Sequence, residues 1–502
     1  MKSKATVAVL TDAPRAYDAA PPFGPPEIWP EFAGCLPQGR LQANEVFAAV
    51  RDLLLLAGLD ATRAGTAAWN PFSDLVKPGA RVVLKPNWVR HFNPEPSGTM
   101  ESVVTHPSVI RAVCDYALLA VGKEGRVIIA DAPQHDCDLA VLNRDAGIDA
   151  LAQHYRALGL PVEFRDLRQE AVIFEDGVVT QRFTLDGDPE GYSEIDLGRA
   201  SAFADFPMDP LRLRGADYDV EETIRHHSGG VHRYLVANTI LRADCIINLP
   251  KIKTHKKAGI TCCLKNLVGI NGNKNYLPHH TRGFPGRGGD EFAKLNLHTW
   301  SRWVAVEWAR KRLLAGKKIT LIKAVRRLRA LTDPRETVRA GNWHGNDTIW
   351  RTVVDLNTIL RYADRAGHLG SAPFAGRRQF HLAEGIVVGG GDGPLAPVDV
   401  PAGLLVCGAD PVRMDAAVAM LMGFDWRKVP AVREAAKPRL HPLTAATTFD
   451  DAFVRLNENG VVSEFTLDTC PAQVKVPPHP GWRGHIERAP AKDEMYEAST
   501  SG

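Results

Sequence analysis

The sequence predicts an α/β protein, with a mostly parallel sheet, helices on both faces and a β-rich insertion. Short apolar runs typical of buried strands, such as 81–84, alternate along the chain with longer segments of helical spacing, such as 107–121. Parallel strands need crossover helices, which then cover the sheet. Residues 160–235 differ, because they are polar and contain Asp-Gly turns typical of hairpins.

Apolar runs and helix-start signals define the elements of the first half. The run ending at Leu10 predicts a first strand, and the apolar spacing of 44–58 predicts a helix. Thr105 is a predicted N-cap, with Pro107 in the first turn of its helix. The strands predicted here are 1–10, 81–84 and 127–130, and the helices are 44–58, 105–121 and 146–158.

The second half repeats the alternation around a Gly-, Pro- and His-rich loop at 271–290. A basic amphipathic helix at 318–331 is interpreted as covering the sheet, although such a helix can also lie on a membrane or bind an acidic partner. The strands predicted here are 245–249, 380–388 and 403–408, and the helices are 261–268, 292–314, 318–331, 347–365 and 411–422.

The composition shifts divide the chain into three regions. Residues 1–80 hold the first strand, a Pro- and aromatic-rich arm and a helix. Residues 81–425 form the α/β domain that contains the insertion at 160–235. Residues 426–502 form a C-terminal extension with a frayed tail.

Composition excludes several classes of protein. The chain has 502 residues, of which 45% are hydrophobic and 24% charged, so it is not a disordered chain. The net charge of +3 is too balanced to indicate a nucleic-acid partner. The longest apolar runs fall short of the ~20 residues that a spanning helix needs. Because the first ten residues resemble a strand and not a signal peptide, we expect a cytoplasmic protein without a membrane-spanning segment.

The eight cysteines do not form a metal-binding motif. None are spaced as C-x-x-C, so ferredoxin-type and zinc-ribbon patterns are absent. We therefore expect reduced thiols and no iron–sulfur cluster.

Polar or ionisable side chains follow most of the predicted core strands. Because the carboxyl ends of parallel strands meet at one edge of a sheet, we expect these side chains to share a cleft. They are Lys85, Asn87, Asp131, Lys251, Lys253, His255, Asp392 and Asp410.

The segment 245–289 contains no Asp or Glu, although the chain's average of 58 in 502 would place about five there. Lys251, Lys253 and His255 project to one side of an extended segment. Lys265 falls early in the predicted helix, where a cation is disfavoured unless an anion binds there. The segment therefore indicates an anion site, and a solvated basic face is the alternative.

The Gly-rich turn at 389–394 matches neither a P-loop nor a dinucleotide fingerprint. It carries Asp392, which leaves two interpretations open. Either the turn is structural, or Asp392 is a metal ligand or an acid–base group.

Several of these residues lie in motifs that resemble the DUF362 family. The motifs are Val82-Val-Leu-Lys-Pro-Asn87, Thr105-His-Pro107, Ile129-Ala-Asp131, Ile247-Asn-Leu-Pro-Lys-Ile-Lys-Thr-His255, Gly259-Ile-Thr-Cys-Cys-Leu-Lys-Asn-Leu-Val-Gly269, Gly391-Asp-Gly-Pro394 and Asp410…Asp415…Met422-Gly423. This resemblance covers about residues 81–425. It implies no particular reaction, since the family is defined without a known function.

The sequence departs from that family's pattern in three ways. It lacks the ferredoxin-like Cys module of some members, so the resemblance implies no iron–sulfur cluster. Glu384 stands where many members have Asp. The insertion at 160–235 and the loop at 271–290 are expected to shape a pocket particular to this subgroup.

Two functions follow as hypotheses. The first is an enzyme acting on an anionic small molecule, with a divalent metal whose identity the ligand types leave open. The second is a non-catalytic binding or assembly protein that holds an anionic metabolite or cofactor. For the enzyme we assign Lys85 and His255 to catalysis, Asn87, Lys251, Lys253, Lys265 and Asn266 to substrate binding, and Asp131, Asp392 and Asp410 to the metal.

Overall fold

A computed structural model describes residues 6–17, 19–34, 41–175, 178–215, 219–294, 304, 340–445, 449 and 453–489. The strands are β1 Thr6–Leu10, β2 Arg81–Pro86, β3 Arg126–Asp131, β4 Val162–Asp166, β5 Glu170–Glu175, β6 Val178–Thr184, β7 Tyr192–Asp196, β8 Leu213–Arg214, β9 Arg233–Ala237, β10 Cys245–Leu249, β11 Lys251–His255, β12 Gly259–Thr261, β13 His280–Thr281, β14 Arg378–Asp392, β15 Ala396–Gly408, β16 Phe453–Glu458 and β17 Val461–Thr466. The helices are α1 Glu45–Leu56, α2 Pro107–Val121, α3 Leu139–Asp145, α4 Ile148–Ala157, α5 Val220–His226, α6 Asn238–Leu241, α7 Cys263–Asn266, α8 Ile349–Tyr362, α9 Pro411–Leu421 and α10 Pro430–Ala435.

One large sheet organises the described residues. Its strand order is β17-β16-β1-β15-β14-β10-β2-β3-β4, and β11 and β12 attach beside β14. The strands from β14 through β10, β2 and β3 to β4 are all parallel to one another. Within this order only β15 and β17 run in the opposite direction. The prediction of a mostly parallel sheet is therefore confirmed.

Side chains of the strands alternate between two apolar layers. Val82 and Leu84 of β2 pack with α1, α2 and α4 in one core cluster. Val83 lies on the other side, in a cluster that includes residues of α8. A third cluster on that side contains residues of α9 and α10. Helices thus cover both faces, as predicted, because parallel strands are apolar on both sides.

The predicted insertion at 160–235 is β-rich, although its first strand belongs to the large sheet. β4 is the edge strand there, while β5 to β9 form small two-stranded sheets, one of them with β13. Regions assigned to the two ends of the chain also contribute strands, because β1, β16 and β17 extend the same sheet. No helix of the described residues is long and apolar enough to cross a membrane.

Several local expectations differ from the structure. His106 is the N-cap of α2, and its ring Nδ1 accepts from the Ser108 N–H at 3.2 Å. The Thr105 hydroxyl instead donates to the Leu249 carbonyl at 2.6 Å, which ties the helix start to β10. The predicted helix at 261–268 is the four-residue α7 followed by a 3₁₀ turn. The predicted helix at 318–331 and most of that at 292–314 lie outside the described residues.

The central position of β10 gives a prediction about stability. Ile247→Ala should lower the free energy of unfolding by about 2–5 kcal/mol, because Ile247 is fully buried between strands and helices. Urea unfolding measures this value. Ile28→Ala is the matched control, since Ile28 is 56% exposed and its loss should change stability by less than about 0.5 kcal/mol. Equal effects of the two substitutions would contradict the assignment of β10 to the core.

Candidate anion-binding site

A buried ion pair joins β2 to β3. The Lys85 ammonium group donates to Asp131 Oδ1 at 2.7 Å, to Asn266 Oδ1 at 3.1 Å and to the Pro86 carbonyl at 2.8 Å. Burial lowers the pKa of Lys85, and the nearby Asp131 carboxylate opposes that effect. Because these bonds use all the N–H groups of a lysine, Lys85 has no hydrogen left to donate to a substrate.

Neighbouring residues fit closely around this pair. The Trp88 N–H donates to Asp131 Oδ2 at 2.7 Å, so both carboxylate oxygens are engaged. A Cβ atom at Gly269 would lie 2.0 Å from Asp131 Oδ1 and 2.6 Å from Lys85 Nζ. A side chain at position 269 would therefore displace the pair, which gives a physical reason for the glycine that ends its motif.

Asn266 fixes the orientation of Asn87. The Asn266 amide group donates to Asn248 Oδ1 at 2.7 Å, so its own oxygen faces Lys85 and Asn87. The group of Asn87 that contacts Asn266 Oδ1, at 2.9 Å, must then be the NH₂. Asn87 Oδ1 is left as a buried acceptor with no hydrogen-bond partner among the described residues. A ligand hydroxyl or N–H group is the partner that this atom needs.

Three further lysines lie near this pair, and none forms an ion pair with a carboxylate in the part of the chain that the structure describes. Lys253 is fully buried and donates to the Val103 carbonyl. Lys274 donates to the carbonyls of Val268 at 3.2 Å and Asn271 at 3.1 Å. Lys265 is partly exposed.

Burial and mutual repulsion lower the pKa of each of these lysines. Burial is the main cause for Lys253, followed by the positive charges of Lys251 and Lys265. Burial and Lys85 lower the pKa of Lys265 to about 8. Burial lowers the pKa of Lys274 to about 7, with Lys85 and other cations adding to the effect and Asp131 opposing it. The group is therefore a local excess of positive charge, buried at Lys253 and Lys274 and partly exposed at Lys265.

The backbone fixes the tautomer of His255. Its Nδ1 accepts from the N–H groups of Lys257 and Ala258, both at 3.1 Å. In the neutral ring the proton is then on Nε2, which is a hydrogen-bond donor. Burial, followed by the charge of Lys265, holds the pKa of His255 well below its usual value. His255 is thus a neutral donor beside the lysines, and in this tautomer Nε2 is not a base.

Lys251 has a different environment, although it lies only two residues before Lys253. Its ammonium group contacts both oxygens of Glu384, at 2.9 and 2.8 Å, and the Tyr17 hydroxyl at 2.9 Å. Glu384 also accepts from the Tyr17 hydroxyl at 2.6 Å and from the His106 N–H at 3.0 Å. Lys251, assigned to substrate binding from the sequence, is therefore fully engaged in a buried network that holds the N-terminal arm.

The three carboxylates assigned to a metal do not form a common site. β15 is antiparallel to β14, so Asp410 lies near the amino-terminal ends of the parallel strands, whereas Asp131 lies at their carboxyl ends. Asp410 is the N-cap of α9 and accepts from two backbone N–H groups at 3.0 and 3.1 Å. Asp392 lies three residues beyond Gly389, the sheet partner of Lys253, and its half-exposed carboxylate is 3.3 Å from His479 Nε2. The expected convergence of all strand ends fails for Asp410 because the sheet is mixed there.

Within the described residues, the group with metal-ligand spacing is Cys262, Cys263 and Asp415. Its Asp415 carboxylate already accepts from the N–H groups of Cys263 at 2.7 Å and Leu264 at 3.1 Å. Burial raises the pKa of Asp415 to about 7. Asp415 therefore accepts from the first N–H groups of α7, so the start of this helix is occupied by a carboxylate of the chain, and an anion at Lys265 would have to bind through the side chain.

Sequence reasoning missed Lys274 and Tyr17 as parts of these networks. Lys274 lies in the acid-free segment, which was the available signal, but nothing in its spacing distinguishes it from the other lysines. Tyr17 contacts Lys251 across 234 positions of sequence, and no local pattern indicates such a contact.

A surface cleft of about 730 Å³ lies elsewhere, between α1 and the turn that joins β16 to β17. Its ionisable lining residues are the acidic Asp12, Glu45 and Asp52. An anion would be repelled there, so charge favours the lysine group as the anion site.

Comparison with known proteins places this chain in a family. The DUF362 family, described as a domain of unknown function, matches residues 82–185 and 186–420. The chain belongs to this family. No curated protein matches the sequence.

One solved structure is similar. It is the crystal structure of a Thermotoga maritima protein from the Northeast Structural Genomics Consortium, with 12% sequence identity and a TM-score of 0.29. The match covers 72% of this chain and 56% of that protein, so it spans just over half of the other chain.

The buried pair gives a second prediction about stability. Lys85→Met should lower the free energy of unfolding by about 3–5 kcal/mol, because it leaves the Asp131 carboxylate buried without its partner. Adding Asp131→Asn should recover part of the loss. Chemical denaturation of the single and double variants measures both effects.

Lys437→Met is the control for this experiment. Lys437 pairs with Glu434 at the surface, where its side chain is 57% exposed, so its loss should cost no more than about 1 kcal/mol. If Lys85→Met behaves like Lys437→Met, the pair does not hold the site together.

Proposed function

We propose that this protein is an enzyme that binds a small anionic metabolite at Lys253, Lys265, Lys274 and His255. One observation carries the proposal. Lys253 and Lys274 are buried, Lys265 is partly exposed near them, and the described residues provide none of the three with a carboxylate partner. A carboxylate or phosphate group of a ligand would supply the missing negative charge.

Desolvation is the reason why these lysines need an anionic partner. Moving an ammonium group out of water costs several kcal/mol, and a chain normally offsets this cost with a paired carboxylate. It does so for Lys85 and Lys251 in the same region. Lysines that only contact carbonyl groups, as Lys253 and Lys274 do, leave most of that cost in place. Binding an anion would recover it.

The surrounding groups define further features of the ligand. His255 Nε2–H would donate to an anionic oxygen. The unpartnered Asn87 Oδ1 would accept from a hydroxyl or N–H group of the same molecule. These two groups support a polar metabolite in preference to a simple inorganic ion.

Proton transfer supports an enzyme over a passive binding protein. A lysine with a pKa of about 7 can accept and release a proton near neutrality, as a general acid or base must. Such shifted groups cluster at catalytic sites. The proposal assigns this role to Lys274, and it gives Lys85 a positioning role in place of the catalytic one.

A divalent metal is left out because Asp131 and Asp410 are engaged by the chain itself.

Substitution of the lysines tests this proposal, with sulfate as the probe. Lys265→Ala and Lys253→Met should each weaken sulfate binding about 10- to 150-fold, the effect of losing a charge-assisted hydrogen bond of about 1.5–3 kcal/mol. Titration calorimetry measures the affinity. Lys123→Ala, at an exposed position after α2, should bind like the parent. Unchanged affinity in both site variants, with a lowered melting temperature, would assign these lysines to stability alone.

The lowered pKa values predict a dependence on pH. Between pH 7 and 9 Lys265 and Lys274 lose their protons, since their pKa values are about 8 and about 7. Sulfate keeps its charge over this range, so its affinity should fall by about tenfold as the lysines become neutral. Calorimetry at several pH values measures the change. A flat profile would show that other groups bind the anion.

Without the anion, the free energy of unfolding should rise with pH over the range in which the affinity for sulfate falls. A lysine whose pKa is lower in the folded than in the unfolded state destabilises the fold at neutral pH, and this effect diminishes as pH rises towards the unfolded value. The increase in melting temperature that sulfate causes should therefore be largest near pH 7 and decline towards pH 9. An increase that grows with pH would contradict the assignment of these lysines.

A further inference from the structure

We infer that Lys274 forms an imine with the substrate, so that the substrate class is a small aldehyde or ketone that also carries a carboxylate or phosphate. The inference rests on the proposed function, because the anionic group is what the neighbouring lysines would hold. It adds the reacting group of the substrate and a covalent step.

Lys274 Nζ has one tetrahedral position without a hydrogen-bond partner among the described residues, and in the neutral amine that position holds the lone pair. This Nζ atom has two acceptors, the carbonyls of Val268 and Asn271, at 3.2 and 3.1 Å. A neutral amine has two N–H groups, which these carbonyls accept, and one lone pair. The tetrahedral geometry then directs the lone pair away from both carbonyls. A nucleophile oriented by two fixed acceptors is prepared for attack on a carbonyl carbon.

The backbone also fixes the position of Lys274. Its own N–H donates to His135 Nε2 at 3.3 Å, and its residue begins a 3₁₀ turn that ends at Tyr276. The side chain is 4% exposed and packs within reach of the charges of Lys85 and Lys265. Burial, followed by these and other positive charges, lowers the pKa of Lys274 to about 7, so the neutral form that attacks carbonyl groups predominates at pH 8.

Lys85 and Lys265 are less suited to this step. Lys85 donates to three acceptors and has no lone pair to offer. Lys265 is partly exposed and keeps its proton to a higher pH, which suits the binding of an anion at the entrance. The cluster thus divides into a residue that holds charge and a residue that attacks.

The covalent step balances without any further reactant. The Lys274 lone pair forms a bond to the carbonyl carbon, and the π electrons of the carbonyl move to its oxygen. The oxygen leaves as water with the two hydrogens of the amine, and a C=N bond remains. An imine withdraws electrons from the adjacent carbon, which eases loss of a proton or carboxylate there.

Reductive trapping tests the inference in the full-length protein. Pyruvate supplies both a ketone and a carboxylate, and acetone supplies the ketone alone. Each is incubated with the protein and sodium cyanoborohydride at pH 8, and modified lysines are identified by peptide mass mapping. Lys123, exposed in the same sample, reports the reactivity of an ordinary lysine.

The expected result is that pyruvate labels Lys274 at least about tenfold faster than Lys123, since an ordinary lysine is almost wholly protonated at this pH. The ratio of pyruvate to acetone labelling should be larger at Lys274 than at Lys123, which corrects for the greater intrinsic reactivity of the pyruvate ketone, and Lys265→Ala should remove most of that excess. These readouts use the parent protein and one variant at a partly exposed position, so they do not depend on Lys274 substitutions that unfold the chain.

Two results would overturn the inference. One is labelling of Lys274 no faster than that of Lys123. The other is a ratio of pyruvate to acetone labelling that is no larger at Lys274 than at Lys123, which would show a reactive amine without recognition of an anion. Sulfate binding separates this failure from that of the proposed function. If sulfate binding depends on Lys265 but Lys274 is not labelled, only the imine is wrong. If sulfate does not bind and Lys274 is not labelled, the anion site is rejected as well.

Discussion

The buried Lys85–Asp131 pair is the interaction on which the arrangement of this site depends. It joins neighbouring parallel strands at their carboxyl ends and takes up every N–H of the ammonium group and both oxygens of the carboxylate. Asn266 and Gly269, from the segment after β12, must approach it closely. Because Asp131 is committed to Lys85, it only partly offsets the charge of Lys274. The excess of positive charge nearby is a consequence of this one pairing.

The sequence was sufficient to predict the sheet but not the direction of every strand. Apolar runs identified β2, β3 and β10 because parallel strands are buried on both faces. The strand at 403–408, which is part of β15, was expected to end beside the carboxyl ends of these strands, and this expectation placed Asp410 in the site. The structure shows β14 and β15 as long strands joined by the short turn 393–395, and so short a connection requires antiparallel strands. The predicted strands 380–388 and 403–408 were too short to reveal this turn, because Gly389 to Gly391 were assigned to a loop.

The candidate site was predictable as a set of residue types but not as a set of partners. The absence of acidic residues from 245–289 correctly indicates that any carboxylate for its lysines must come from elsewhere in the chain. Which lysine receives one depends on contacts across long separations. Lys251 meets Glu384, 133 positions away, while Lys253 meets only a carbonyl among the described residues. Spacing along β11 places both side chains on one side of the strand and cannot tell these environments apart.

That contrast within a single strand also bears on function. A buried lysine kept only for structure is expected to have a carboxylate, or to be replaced by an apolar residue at little cost in stability. Lys85 and Lys251 follow this expectation. Lys253 and Lys274 do not, although they are buried in the same region. The chain thus neutralises Lys85 and Lys251 with its own carboxylates and leaves Lys253 and Lys274 with carbonyl groups alone. The proposed anionic ligand would account for this difference, because it would bring the negative charge that the second pair of lysines lacks.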